Sequence, residues 1–282
     1  ELTYYTYGVT ATFDAGESSA REVSLYSGIS GGWARTHGGS GDEVALDVVP
    51  APENGIVTAG HTIWLGTTDK NGHVARFTAG STPIWGATLG GEEDDWFEAI
   101  CPAPGGGFLA AGVTESFGAE GADIWLARFD DAGDTLWTKT LGGADDEYAV
   151  DIAPDGDGYI VAGYSHTGGS YRLLAAKIDS SGDEIWSRNY GSALFGNSII
   201  PASSGGYVAT GYSEYGSLGN EDLIVFCLDD AGDSLWAREY GGPGLDEGNQ
   251  IIEVESGGFL IAGSSRSFGI PIFKSVYLLR LN

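Results

Sequence analysis

Five tryptophans, Trp33, Trp85, Trp137, Trp186 and Trp236, stand 52, 52, 49 and 50 residues apart. Each opens a variant of one phrase: WARTHGG, WGATLGG, WTKTLGG, WSRNYGS and WAREYGG. Self-similarity at a fixed period of this size marks an array of one supersecondary unit. After each phrase come an acidic turn, a partly apolar segment such as EYAVDIAP, a glycine turn and a run such as GYIVAGYS. A longer loop leads to a segment such as DIWLARFD, and a tight turn such as DDAGD leads to the next tryptophan. These are four short strands, a to d, separated by Gly/Asp/Ser turns. Four strands per unit of this length predict the blades of an all-β propeller.

The composition agrees. Glycine accounts for 47 of 282 residues, well above the usual roughly 7%, without a period of three. Apolar residues make up 42%, enough for a sizeable core. The net charge is −27, from 40 acidic and 13 basic residues. That charge excludes nucleic acid as a partner, because phosphates demand basic patches. No window is long and apolar enough to cross a membrane as a helix. The first residue is Glu1 and methionine is absent, which reads as a mature chain whose leader has been removed.

The last unit stops at Asn282 after its strand c, while the phrase at Trp33 is a strand d without its own a and b. A five-bladed ring follows if residues 30–282 close on themselves, with the strand around Trp33 completing the last blade. Nine residues before an anchor stands a cation: Arg76, Arg128 and Lys177 precede Trp85, Trp137 and Trp186. In a c–d hairpin this spacing makes cation and indole cross-strand neighbours, a contact of roughly 0.5–1 kcal/mol when exposed. Ser24 breaks the pattern before Trp33, and Arg280 has no downstream tryptophan, so the two vacancies suit one another. Residues 1–29 remain as an extra arm or hairpin, with Tyr4, Tyr5 and Tyr7 as aromatic anchors toward a neighbour.

The phrases W-x-[KR]-x-x-GG, DE, GG[YF][IL][IV]AG, SFG and D-x-[WY]-L-x-[KR]-x-D resemble a repeat of large secreted bacterial proteins. Residues 30–282 carry the resemblance, most closely at ESFGAEGADIWLARFDDAGDTLWTKTLGG, residues 115–143. It implies a β-propeller exported to the cell surface or beyond, often ahead of a C-terminal sorting domain, and it implies no particular activity. DTL and DSL further resemble an O-glycosylation pattern of some such bacteria, which would place the sugar on Thr135 and Ser234.

No residue set nominates a reaction. The acidic pairs recur in most repeats and read as turn caps, and the four histidines have no zinc spacing. No catalytic or cofactor-binding residue stands out. For a metal, Asp155 and Asp157 in PDGDG are the candidates for calcium. Cys101 aligns with Val49 and Ala153 and reads as a buried small residue, while Cys227 occupies the cation slot before Trp236. They lie in different blades, so both thiols are expected free. The fourth unit departs from the rest: NYGSALFGNS has Ser192 for the second glycine and Leu194-Phe195 for the acidic pair. Exposed, Leu194 and Phe195 would mark a contact surface. The expected role is a non-enzymatic extracellular structural or adhesive protein, with copies of itself or other surface proteins as partners. A glycan-binding propeller is the alternative, and a propeller glycosidase or lyase a further one.

Overall fold

The computed structural model of the chain describes residues 22–23, 34–64, 66–268 and 273–282. Its strands form consecutive antiparallel meanders, as the short turns dictate. Blade I contains β3 (Asp42–Ala51), β4 (Gly55–Ile63), β5 (Lys70–Phe77) and β6 (Pro83–Leu89). Blade II contains β7 (Asp95–Pro102), β8 (Phe108–Thr114), β9 (Asp123–Phe129) and β10 (Thr135–Leu141). Blade III contains β11 (Asp146–Asp155), β12 (Gly158–Thr167), β13 (Ser170–Ile178) and β14 (Glu184–Tyr190). Blade IV contains β15 (Leu194–Pro201), β16 (Tyr207–Ser213), β17 (Asp222–Leu228) and β18 (Ser234–Tyr240). Blade V has three strands, β19 (Asp246–Glu253), β20 (Phe259–Ser265) and β21 (Ser275–Leu281). The first strands of successive blades pack on one another, and all five line one cavity, so the blades fan around a common axis. This is the arrangement of a β-propeller.

Side chains alternate across each strand, so every blade has one face toward the preceding blade and one toward the next. Leu109, Ala111 and Leu126 of blade II meet Tyr159, Val161 and Ala176 of blade III in one buried group. The same positions recur at the other junctions: Val57 and Val74 against Phe108 and Ala127, Ile160 and Ala175 against Tyr207 and Phe226, Val208 and Val225 against Ile251 and Ile261. The core is therefore a set of inter-blade layers.

The anchor tryptophans lock these layers. The indole N–H of Trp85 donates to the Asp131 carbonyl in the turn of blade II (3.1 Å), and that of Trp186 donates to the Asp230 carbonyl of blade IV (3.2 Å). Each ring lies on the glycine of the neighbouring turn. A Cβ on Gly133, Gly182 or Gly232 would fall 2.5, 2.6 or 2.8 Å from Trp85, Trp137 or Trp186. Gly232 also has φ +80°, which side-chain-bearing residues rarely adopt.

The nine-residue spacing holds: Arg76, Arg128, Lys177 and Cys227 lie opposite Trp85, Trp137, Trp186 and Trp236. The cations nevertheless choose other partners. Arg76 donates to the Asp131 carbonyl (2.8 Å) that Trp85 also binds, Arg128 binds the carbonyls of Phe108, Phe129 and Gly106, and Lys177 binds the Tyr207 hydroxyl (2.8 Å). Charge-assisted hydrogen bonds of about 1.5–3 kcal/mol outweigh an indole contact of about 0.5–1 kcal/mol. Both cysteines are free. Cys101 is buried opposite Leu109, and burial pushes its thiol pKa up.

Ring closure differs from the expectation. Ala34–Arg35 (β2) pairs with Glu22–Val23 (β1), not with β21. Glu22 faces Arg35 and Val23 faces Ala34, the offsets by which Leu126 faces Lys139 and Ala127 faces Thr138. The phrase at Trp33 thus has a strand c of its own. Among the described residues β21 has no outer partner, and β19 does not pack on β3 as successive first strands do. Trp33 itself lies outside the described residues. Arg280 bonds the Ser256 hydroxyl (3.2 Å) and the Gly257 carbonyl instead.

Replacing Trp186 by Ala should cost about 3 kcal/mol in urea unfolding, because a buried ring is lost over a turn that cannot collapse. Trp186→Phe should cost about 1 kcal/mol, the hydrogen bond alone.

Candidate functional site

The repeated acidic residue is a cap. Glu43, Asp95, Glu147 and Asp246 each accept the backbone N–H four residues earlier, from Gly39 (2.9 Å), Gly91 (2.7 Å), Gly143 (3.0 Å) and Gly242 (2.8 Å). The donor is the second glycine of the Gly-Gly pair. In blade IV donor and acceptor change together, to Ser192 and Leu194. Ser192 bonds the Ser170 hydroxyl (2.7 Å), and Leu194 turns into the layer between blades III and IV, 7% exposed. Leu194 is therefore not the contact residue expected from sequence, because its side chain fills the space that the capping carboxylates occupy elsewhere.

Each first strand carries a bulge that leaves one residue unpaired. These are Leu46, Glu98, Val150, Asn197 and Asn249. The axial cavity, about 450 Å³, is lined by Leu46, Glu98, Val150 and Asn197 together with Asp47, Asp151 and Gln250. The aspartates tie adjacent blades. Asp47 accepts from the Ile100 N–H (2.8 Å) and Asp151 from the Ile199 N–H (2.9 Å). Burial raises the Asp151 pKa despite those bonds.

At one end of this cavity the first strands carry Trp96, Tyr148 and Phe195, one residue past the capping position. Tyr148 stacks on Tyr164 (4.8 Å between centroids), Tyr164 meets Phe195 edge-on (5.1 Å), and Phe195 stacks on Tyr212 (4.8 Å). Tyr171 packs on Phe195 (4.6 Å). All five are half-buried. The hydroxyls of Tyr148, Tyr164, Tyr171 and Tyr212 have no hydrogen-bond partner among the described residues. Burial, with Tyr148 and Glu98 nearby, pushes the Tyr164 pKa up to about 12, and burial with Glu221 and Glu247 nearby does the same for Tyr212. Both stay protonated donors at neutral pH. Trp96 donates to Glu98 (2.7 Å) beside them. Phe195, named from sequence, lies at the hub of this mouth. Trp96, Tyr148, Tyr164, Tyr171 and Tyr212 were not named, although Trp96 and Tyr148 share the repeat column of Phe195, and Tyr164 and Tyr212 share another.

Asp155 pairs with Lys177 (2.8 Å) and accepts from the Tyr207 hydroxyl (2.7 Å). Burial alone would raise its pKa, but these two donors hold it below the ordinary carboxylate value. Asp157 sits exposed in the β11–β12 turn, and no group of three or more metal-ligating side chains occurs among the described residues. Thr135 and Ser234 are exposed at the starts of β10 and β18. Tyr4, Tyr5 and Tyr7 lie outside the described residues.

No family model matches the chain, and no curated protein matches it. Among solved structures it is similar to a protein of unknown function from Bacteroides caccae, with 16% identity over 74% of this chain and 65% of that one (TM-score 0.46). It is also similar to the WD40 β-propeller domain of Doa1, with 14% identity over 94% and 95% of the two chains (TM-score 0.47). A GH32 β-fructofuranosidase of Bombyx mori has 8% identity over 80% and 57% (TM-score 0.43). The chain spans less than two thirds of the Bacteroides and Bombyx proteins. At these TM-scores the propeller assignment rests on the strand order and inter-blade packing of this chain.

Buried carboxyls give the fold a pH dependence. Asp222 and Asp246 are fully buried, and one oxygen of each lacks a partner among the described residues. Burial raises the pKa of Asp222, Asp123 and Glu147. A carboxyl raised in the native state holds protons that the unfolded chain releases from about pH 4 upward, so stability falls as pH rises through that window. The melting temperature should therefore be higher at about pH 4 than at pH 7, and Asp222→Asn should raise it at pH 7 while narrowing the difference. Scanning calorimetry across this range that finds a flat or opposite trend contradicts this assignment.

Proposed function

We propose that the chain is a non-enzymatic structural or adhesive protein of the cell exterior, with the propeller as scaffold and the axial mouth as its adhesive surface. The observation that carries this is the cluster of half-buried aromatics whose four hydroxyls lack hydrogen-bond partners among the described residues, set over a polar cavity. The recurrent residues are otherwise engaged: tryptophans lock turns, carboxylates cap glycines, and Asp47 and Asp151 accept backbone N–H groups. A glycosidase would need a carboxyl pair free to work on a sugar in a cleft. The resemblance to exported bacterial repeats and the acidic surface support an extracellular setting.

The aromatic mouth also favours a glycan as the bound molecule. Aromatic faces receive apolar sugar faces, and tyrosine hydroxyls with Asn197, Gln250 and Glu98 offer donors and acceptors for sugar hydroxyls. Tyr164→Phe with Tyr212→Phe removes two hydroxyls while keeping the rings. On a glycan array this double variant should bind at least tenfold more weakly than the parent chain, about 1.4 kcal/mol. Unchanged binding rejects the mouth as the site, and release of sugar from any bound glycan rejects the non-enzymatic role.

A further inference from the structure

Four junctions repeat one contact, in which the face of a blade toward its successor meets the next blade's opposite face. Among the described residues, two such faces stay uncovered. On blade V, Val276 is 84%, Leu278 61% and Ile252 50% exposed, while Leu223 and Val225, at the equivalent positions of blade IV, are fully buried. On blade I, Val48 is 55% exposed, whereas its equivalents Ile199 and Ile251 are fully buried. Ile56, beside it on that face, is half-buried. The two faces are the complementary halves of a contact already made four times in the molecule. Among the described residues the two faces do not form this contact with each other, since β19 and β3 lack the packing that successive first strands share.

We propose that a second copy of this chain docks by placing blade I on the open face of blade V. The occupant follows from continuity with the internal junctions: every equivalent of Val276 and Leu278 is covered by the opposite face of a blade, and blade I presents that face. The two faces are different, so the contact is head-to-tail and builds a filament or closed ring, not a two-fold dimer. At net charge −27 copies repel one another, so salt that screens the charge should strengthen assembly. This contact is separate from ligand binding at the axial mouth.

Light scattering coupled to size exclusion tests it on the full chain. Mass should rise with protein concentration, and rise further between low and high salt. Val48→Asp blocks only the blade I face and Leu278→Asp only the blade V face. Both positions are exposed, and unchanged melting curves will show that the variants fold. Each variant alone should stay monomeric, and an equimolar mixture should form a one-to-one pair that grows no further. Three results overturn the proposal: a parent chain monomeric at every concentration and salt, as expected if residues 1–33 of the same chain cover blade V; a Val48→Asp variant that still self-associates; or a mixture that stays monomeric.

Discussion

A blade of this protein has two apolar faces and can bury neither by itself. Everything else follows from that constraint. Ile251 and Ile261 are sealed only because blade IV lies on them, while Leu278, on the reverse of the same sheet, stands open. Burial at roughly 25 cal/mol per Å² makes stacking favourable, but it is non-directional and would tolerate a slipped or tilted neighbour. The tryptophan-to-turn bond supplies the direction. A ring seated on a glycine, with its N–H on the adjoining carbonyl, accepts one placement of the next blade.

The period of the tryptophans made the blades legible, and the nine-residue spacing made the c–d register legible to the residue. The partners of the cations were not legible. A spacing within one hairpin specifies who stands opposite whom, but Arg76 is claimed by a carbonyl of blade II, 55 residues away. The closure was misread for a similar reason. Ser24 departs from the cation pattern, and its place suggested a missing strand c. The ladder from Glu22–Val23 to Ala34–Arg35 has the ordinary offset all the same, because hairpin register follows turn length and not the residue in the slot.

The acidic caps were readable as caps, since a carboxylate recurring beside a Gly-Gly pair has an obvious N–H to serve. The blade IV exception was harder. Taken alone, Leu194-Phe195 is an apolar pair in a turn and suggests exposure. Taken with Ser192, it is a coordinated loss of acceptor and donor, and the vacated space explains why Leu194 is buried. The aromatic mouth was missed because its members come from first, second and third strands of three blades. Only by stacking the repeats in columns do Trp96, Tyr148 and Phe195 fall together.

In a repeat protein the residues common to all units serve the contacts common to all units. Information about a ligand therefore resides in departures from the repeat. At the bulge positions lining the axis, Leu46 and Val150 are apolar while Glu98 and Asn197 are polar. Beside the caps, blades II, III and IV carry aromatics where blade I has Val44 and blade V has Glu247. The aromatic departures thus concentrate on blades II to IV, on one side of the axis, and the uncovered faces belong to blades I and V, on the other. A molecule built this way can bind through one arc of its ring and join its neighbours through the opposite one, with neither contact obstructing the other.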